Sequence, residues 1–407
     1  MADFHVLIVG AGRLPPPPLA PKSMLSANTP QSYKRYGITG LLLAQALKKA
    51  NITYTLFEAE VSAEAYRPRQ WGLSIHWSTP LLKRILPEDL WERVHEAQCD
   101  PFYQNPEVEN LNIYDGTTGQ KMNHMYNKKL TSIAPSEDGK TVTATFEDGS
   151  SYTGSILVGA DGTNSKVRHL LLGEEKAIAQ PASTPEKPFV FTNSTVQYKA
   201  EQALFLRQLH PTFYMCLHPE GGLFWVSPQD VPDQNDPSTW KFQLFMNWRG
   251  TTDRRNVLPE LKVWASKLVD PWKSAIEWLS DDEVIETQKI AYWYPIERDN
   301  WGGRVTLAGD AAHPMVPFRG QGLSHCIADV TSLLAQLQAH LQDNSGMPLA
   351  AVINEYDAEV VARAGDEVKT SLQTMEFLMT WELVEQSPSF KRSADPNEAA
   401  MKIIGKA

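Results

Sequence analysis

Three carboxylates, each closing an apolar run and two of them beside a glycine, are the residues of this chain best placed to hold a polar ligand. Glu58 ends Thr53-Tyr54-Thr55-Leu56-Phe57, Asp161 ends Ile156-Leu157-Val158-Gly159-Ala160, and Asp310 ends Val305-Thr306-Leu307-Ala308-Gly309. A carboxylate delivered at the end of a buried strand accepts hydrogen bonds from ligand hydroxyls. Glycines supply the other half of such a site. Gly10 and Gly12 follow the strand-like Phe4–Val9, and Gly40 lies at the start of the helical Ile38-Thr39-Gly40-Leu41-Leu42-Leu43-Ala44. Joined directly, the two pieces read G-A-G-I-T-G between strand and helix, the pattern of a dinucleotide-binding βαβ unit. The first glycine permits the tight turn, the second lets backbone approach a pyrophosphate, and the third lets helix pack on strand. The helix start offers unpaired N–H groups and a positive dipole end, and Glu58 is spaced to accept from ribose hydroxyls.

The two pieces are separated by Arg13 to Gly37, which includes the run Pro15-Pro16-Pro17-Pro18. Glu58 stands 48 positions after Gly10, and 23 when those 25 residues are set aside. The latter matches the usual spacing of about 20. The junction is ambiguous by one glycine, because Gly37 could replace Gly12.

The length, 407 residues, suits two domains or one large α/β domain with an insertion. A net charge of −10 without a basic run argues against a nucleic-acid partner. Cys99, Cys216 and Cys326 are too few and too scattered for a disulfide framework or a cysteine metal site. Cys216 and His218 share a strand face by alternation but have no third ligand nearby, so no metal is expected. No apolar run reaches the ~18 residues of a membrane span. The N-terminus enters a strand without a signal pattern, so the expected compartment is cytoplasmic.

Along the chain, Tyr66 to Trp77 reads as a basic, glycine-containing loop leading into a strand edge, and Ser78 to Val94 as a helix. Leu111–Tyr114 and Thr141–Phe146 alternate as strands. From Pro185 to Tyr294 aromatic and β-branched residues dominate, which predicts an antiparallel sheet with one amphipathic helix over about Leu258–Leu279. Pro314 to Arg319 reads as a loop, Gly320-Gln321-Gly322 opens a helix through Leu337, and a long helix runs from Ala350 to about Gln386. The helix start beside Asp310 can stabilise negative charge on a ligand. The predicted architecture is therefore α/β: a Rossmann-like nucleotide-binding domain over 1–184 and 296–345 with an atypical insertion at 13–37. An antiparallel β-sheet substrate domain occupies 185–295, a helical region 346–386, and a tail 387–407.

Taken in order, these motifs resemble the single-component FAD-dependent aromatic hydroxylases, of the p-hydroxybenzoate and salicylate hydroxylase type, with a flavour of fungal secondary metabolism. Glu58 with the glycines resembles their ADP-binding motif. Asp161-Gly162, Ser165 and Arg168 resemble the Asp-Gly motif placed where FAD and NAD(P)H pass close together. Gly309-Asp310-Ala311-Ala312-His313 through Pro317 and Gly320-Gln321-Gly322 resembles the Gly-Asp motif. The resemblance covers about residues 1–385 and implies FAD as cofactor, NAD(P)H and O2 as co-substrates, and a small aromatic or polyketide-like substrate that is hydroxylated or epoxidised. It also implies roles. Glu58 would bind the adenosine ribose and Asp310 the ribityl hydroxyls. The backbone of Gly320, Gly322 and Leu323 would border the pyrimidine edge of the flavin, and Pro317 the face where oxygen reacts. Arg67, Arg69 and Gly72 would lie near the flavin and its phosphates. No nucleophile or metal is required, and no side chain is assigned to the chemical step.

The chain departs from that family's pattern twice. One departure is the 13–37 insertion. The other is at Tyr126-Asn127, where a helix carrying a Ser-Arg-x-x-Leu-Arg pattern, which gives an arginine to the FAD pyrophosphate, is missing. Both predict weakened FAD binding. A flavin oxidase or dehydrogenase of the same architecture and a non-catalytic remnant are the competing readings.

Overall fold

The carboxyl ends of four parallel strands line up along one edge of a sheet. The computed structural model describes residues 4–10, 38–57, 78–97, 124–125, 129–342 and 347–386. Within them β1 (His5–Val9), β2 (Thr53–Phe57), β3 (His124–Met125), β7 (Ile156–Gly159) and β14 (Val305–Leu307) form a sheet in the order β14-β7-β1-β2-β3. All four pairings are parallel. Its central strands are buried on both faces, and accordingly they read as unbroken apolar runs rather than alternations. In register, Val9 lies opposite both Phe57 and Gly159, and Gly159 opposite Leu307. The residues that follow, Gly10, Asp161 and Asp310, thus leave the sheet at the same edge.

Helix α1 (Ile38–Lys49) is buried continuously from Thr39 to Leu47, as expected of a helix enclosed by protein on all sides. It packs between the sheet and α9 (Gly322–Leu341), which in turn packs on α10 (Leu349–Leu378). Asn51, with φ 57°, makes the left-handed turn from α1 into β2, a conformation that asparagine tolerates better than most residues. The short helices α2 (Thr79–Ile85), α3 (Glu88–Glu92), α4 (Lys166–Leu172) and α5 (Glu174–Ala177) and the antiparallel β4 (Leu130–Pro135), β5 (Val142–Phe146) and β6 (Ser151–Gly154) complete this layer. A two-stranded ribbon, β8 (Gln180–Pro181) with β13 (Ala291–Tyr292), leads into and out of the next.

The second layer is an antiparallel sheet in the order β10-β11-β12-β9, made of β9 (Phe189–Gln197), β10 (Tyr214–His218), β11 (Gly222–Asp230) and β12 (Lys241–Arg249). Alternation gives it two unlike faces. Phe242, Leu244, Met246, Trp248, Phe224, Val226 and Val190 enter an apolar core under α6 (Ala200–Gln208), α7 (Leu258–Ala265) and α8 (Trp272–Glu277). The opposite face carries Phe189, Phe191, Leu223 and Phe245, which pack with Val316 of the loop after β14 and with Met375 and Met379 at the end of α10.

Several expected elements are cut shorter by proline or turn residues. The helix expected over Ser78–Val94 splits at Pro87, whose ring forces Leu86 into extended backbone with ψ 143°. The single helix expected over Leu258–Leu279 is α7 and α8, separated at Asp270-Pro271. The C-terminal helix stops at Leu378 and a short α11 (Trp381–Gln386) follows, while α6 has no counterpart among the expectations. The strand expected over Leu111–Tyr114 lies outside the described residues, as do the 13–37 insertion and the tail 387–407. Among the described residues no helix is long and apolar enough to cross a membrane.

Candidate cofactor site

Gly10 turns away from β1 with φ +116°, in space where no side chain fits. A Cβ there would stand 2.2 Å from the backbone of Asp161. Gly40, in the first turn of α1, is equally constrained, since its Cβ would lie 2.7 Å from the carbonyl oxygen of Gly10. It therefore takes the helix-to-strand packing role expected of the third glycine. Gly309 has φ +62°, and a Cβ on it would meet Thr39 Oγ1 at 2.2 Å. The starts of α1 and of the Asp310 turn are in this way locked against each other. Gly12, Glu58, Arg69 and Gly72, like Arg67, lie outside the described residues.

Asp310 is exposed, yet protein packs closely enough around it to raise its carboxyl above the ordinary carboxylate range. Burial is the largest cause; His313 and Arg168 pull the other way. The neighbouring Asp161 is committed differently. One of its oxygens accepts from Ser165 Oγ, the other from the backbone N–H groups of Lys166 (2.6 Å) and Val167 (3.1 Å). Ser165 Oγ then accepts from Arg168 N at 2.9 Å, so the pair caps α4. The backbone of Asp161 lies against Gly10 at the sheet edge, while its carboxylate holds the start of α4.

Arg168 is fully buried, and among the described residues its guanidinium donates to carbonyl oxygens rather than to a carboxylate. Its nitrogens donate to the carbonyls of Ala177 (2.9 Å), Ala311 (2.8 Å) and Thr163 (2.5 Å), and it lies 4.9 Å over the Trp293 ring. Burial lowers its pKa to about 10, which leaves it charged at neutral pH. It clasps the Asp161 loop to the Asp310 turn.

Beyond Asp310 the chain makes a 3-10 turn over Pro317–Arg319 and then a left-handed Gly320 (φ +63°) before α9 begins at Gly322. Pro317 and Gly320 are half-buried, and a Cβ on Gly322 would meet nothing within 4 Å. A side chain at Gly322 would thus enter open space in the first turn of α9. Leu323 differs: its side chain is buried in the core between sheet and helices, leaving only its backbone for a ligand. Phe318 packs edge-on to the second sheet, with ring centroids 5.7 Å from Phe245 and 6.3 Å from Phe191.

Behind this loop is a charge cluster that the sequence did not reveal. Asp329 Oδ2 accepts from Gly309 N and from His313 Nε2, both at 2.6 Å, and Oδ1 from Arg363 at 2.6 Å. Burial alone would raise its pKa; His313 and Arg363 outweigh that and hold it at about 2. The partners are 16 to 34 residues apart, so no local spacing could have found them.

Glycine-only contacts at the first turn, open space beside Gly322 in the first turn of α9 and the exposed carboxylate of Asp310 at the same sheet edge suit a dinucleotide with hydroxyl and phosphate groups. The residues present therefore fit FAD. A profile for the FAD binding domain matches residues 123–371. The chain is 36% identical to the FAD-dependent monooxygenase phnB of Penicillium herquei, covering 88% of this chain and 93% of that one. It is 33% identical to the FAD-dependent monooxygenase dbaB of Emericella nidulans, covering 80% and 91%. In fold it matches Klebsiella pneumoniae HpxO, solved with FAD and uric acid, with a TM-score of 0.66 at 19% identity over 99% of this chain and 96% of that one. Motifs, domain match and relatives agree, and the chain belongs to the FAD-dependent monooxygenases of fungal type.

Proposed function

We propose that the protein uses NAD(P)H and O2 to hydroxylate or epoxidise a small aromatic or polyketide-like metabolite in fungal secondary metabolism. FAD would supply the redox chemistry, passing electrons from NAD(P)H to O2 so that one oxygen atom enters the substrate and the other leaves as water. The chain's own residues bind, orient and exclude water. Asp310 accepts from the ribityl hydroxyls, the start of α9 favours negative charge on the ring, and Pro317 borders the reacting face.

The observation that carries this reading is the face of the second sheet beside Phe318. Phe189, Phe191 and Phe245 make one aromatic block there. Next to it runs a polar row: Trp225 Nε1 donates to Ser227 Oγ (3.0 Å), Ser227 to Gln243 Oε1 (3.3 Å), and Gln243 Nε2 to Asn193 Oδ1 (2.8 Å). On β12 the opposite face is wholly apolar, as Phe242, Leu244, Met246 and Trp248 attest. Ser227, Gln243 and Asn193 are buried and hydrogen-bonded in a chain, so this face carries a satisfied polar strip that the other lacks. An aromatic block beside a polar row supports a flat substrate with an apolar body and an oxygen-bearing edge. The test is NAD(P)H oxidation by the FAD-loaded protein over a panel of phenols and polyketide aromatics under 18O2. Substrate-dependent oxidation with one labelled atom in the product is expected. Substrate oxidised without label would make the protein an oxidase or dehydrogenase.

A further inference from the structure

The C-terminal helix α10 contains none of the motif residues, yet it reaches both ends of the Gly309–Gly320 segment. Arg363 donates through one nitrogen to Asp329 (2.6 Å), through another to His325 Nδ1 (2.8 Å), and to Glu359 at 2.5 and 3.1 Å. Asp329 in turn accepts from Gly309 N and His313, at the beginning of the segment. One helical turn beyond Arg363, Glu367 accepts from Arg319 Nε at 2.6 Å, at the segment's end. His325 lies between the two ties, with Nε2 4.0 Å from Glu367.

We propose that Arg363 is a positioning residue for the cofactor site, fixing through Asp329 the turn that presents Asp310, while Glu367 fixes the Arg319 end. The chemistry of the group explains the choice. A guanidinium donates in several directions from one rigid plane, so a single residue serves an aspartate, an imidazole and a glutamate together. Stability alone is a poor reason for such an arrangement, because well-packed hydrocarbon is often as stabilising as a buried ion pair. Geometry is the better reason. Gly309 has a left-handed φ and no room beside Thr39, so a shift of its backbone would carry Asp310 with it.

Hydrogen exchange on the ligand-free protein tests this without relying on turnover. In Arg363→Met, amides of 309–320 should exchange at least about tenfold faster, while those of β1, β7 and α1 keep their protection. FAD affinity, read by flavin fluorescence, should fall by about tenfold or more. Arg363→Lys, which keeps a cation for Asp329, should recover part of both. Glu367→Gln, an isosteric change that removes only the charge, should loosen the Arg319 end alone and carries the test if Arg363→Met does not fold. Unchanged protection at 309–320 in these variants overturns the proposal. So does an equal loss across the whole sheet with no recovery by lysine, which would mark a residue of general stability.

Discussion

Acidifying the protein from pH 7 to pH 5 should destabilise it through His325, and a single substitution should remove that share. Arg363 can only donate, so His325 Nδ1 must carry the lone pair that accepts at 2.8 Å, and the ring proton sits on Nε2. Adding a proton would put N–H against guanidinium. Burial first, then His313 and Arg363, lower the His325 pKa from 6.5 to about 3. Between those values the unfolded chain binds a proton that the folded chain refuses. This contribution is therefore fully present above pH 6.5 and is lost progressively as pH falls toward 3. One proton is worth about 1.4 kcal/mol per pH unit, so from 6.5 to 5 the loss approaches about 2 kcal/mol. With its side chain only 5% exposed, solvent screening does little to reduce that figure. His325→Asn keeps an acceptor near Nδ1 and does not titrate. Urea unfolding at pH 7, 6 and 5 should show wild type losing about 2 kcal/mol more than the variant over this range. Parallel losses in the two proteins would refute the claim that His325 stays neutral in the folded chain over this range.

Asp310→Ala should weaken FAD binding by ~1.5–3 kcal/mol, the worth of a charge-assisted hydrogen bond, as read by flavin fluorescence. Full flavin occupancy with abolished oxygen transfer would instead make Asp310 a catalytic residue. Arg168→Met should strip the carbonyls of Ala177, Ala311 and Thr163 of their donor and cost ~3–5 kcal/mol in urea unfolding, more than a surface arginine would. A loss under ~1 kcal/mol would mean that water reaches those carbonyls.

The sheet edge was readable because its strands are buried on both faces and end in glycine and carboxylate, a pattern written in consecutive residues. Gly10, Gly40, Asp161 and Asp310 follow from it. Their individual tasks do not. Asp161 and Asp310 look alike in sequence, but the residues after Asp161 start a helix directly and draw in its carboxylate, whereas Asp310 stays open. Arg168 sits at helical spacing from Ser165 and gave no sign of its burial, because its acceptors at Ala177 and Ala311 depend on the fold. Asp329 and Arg363 read as ordinary polar positions on amphipathic helices for the same reason. The breaks at Pro87 and Pro271 were different: the prolines were visible, and apolar periodicity continuing past them disguised two helices as one.

Titration of the purified protein with FAD, followed by quenching of flavin fluorescence, tests most directly whether the edge shared by Gly10, Gly40 and Asp310 is a flavin site. Saturable binding of one FAD per chain is expected, tighter when residues 13–37 are deleted, since removing them restores the usual spacing of glycines and carboxylate in the sequence. Absence of saturable binding in both the full-length and the deleted protein would contradict it.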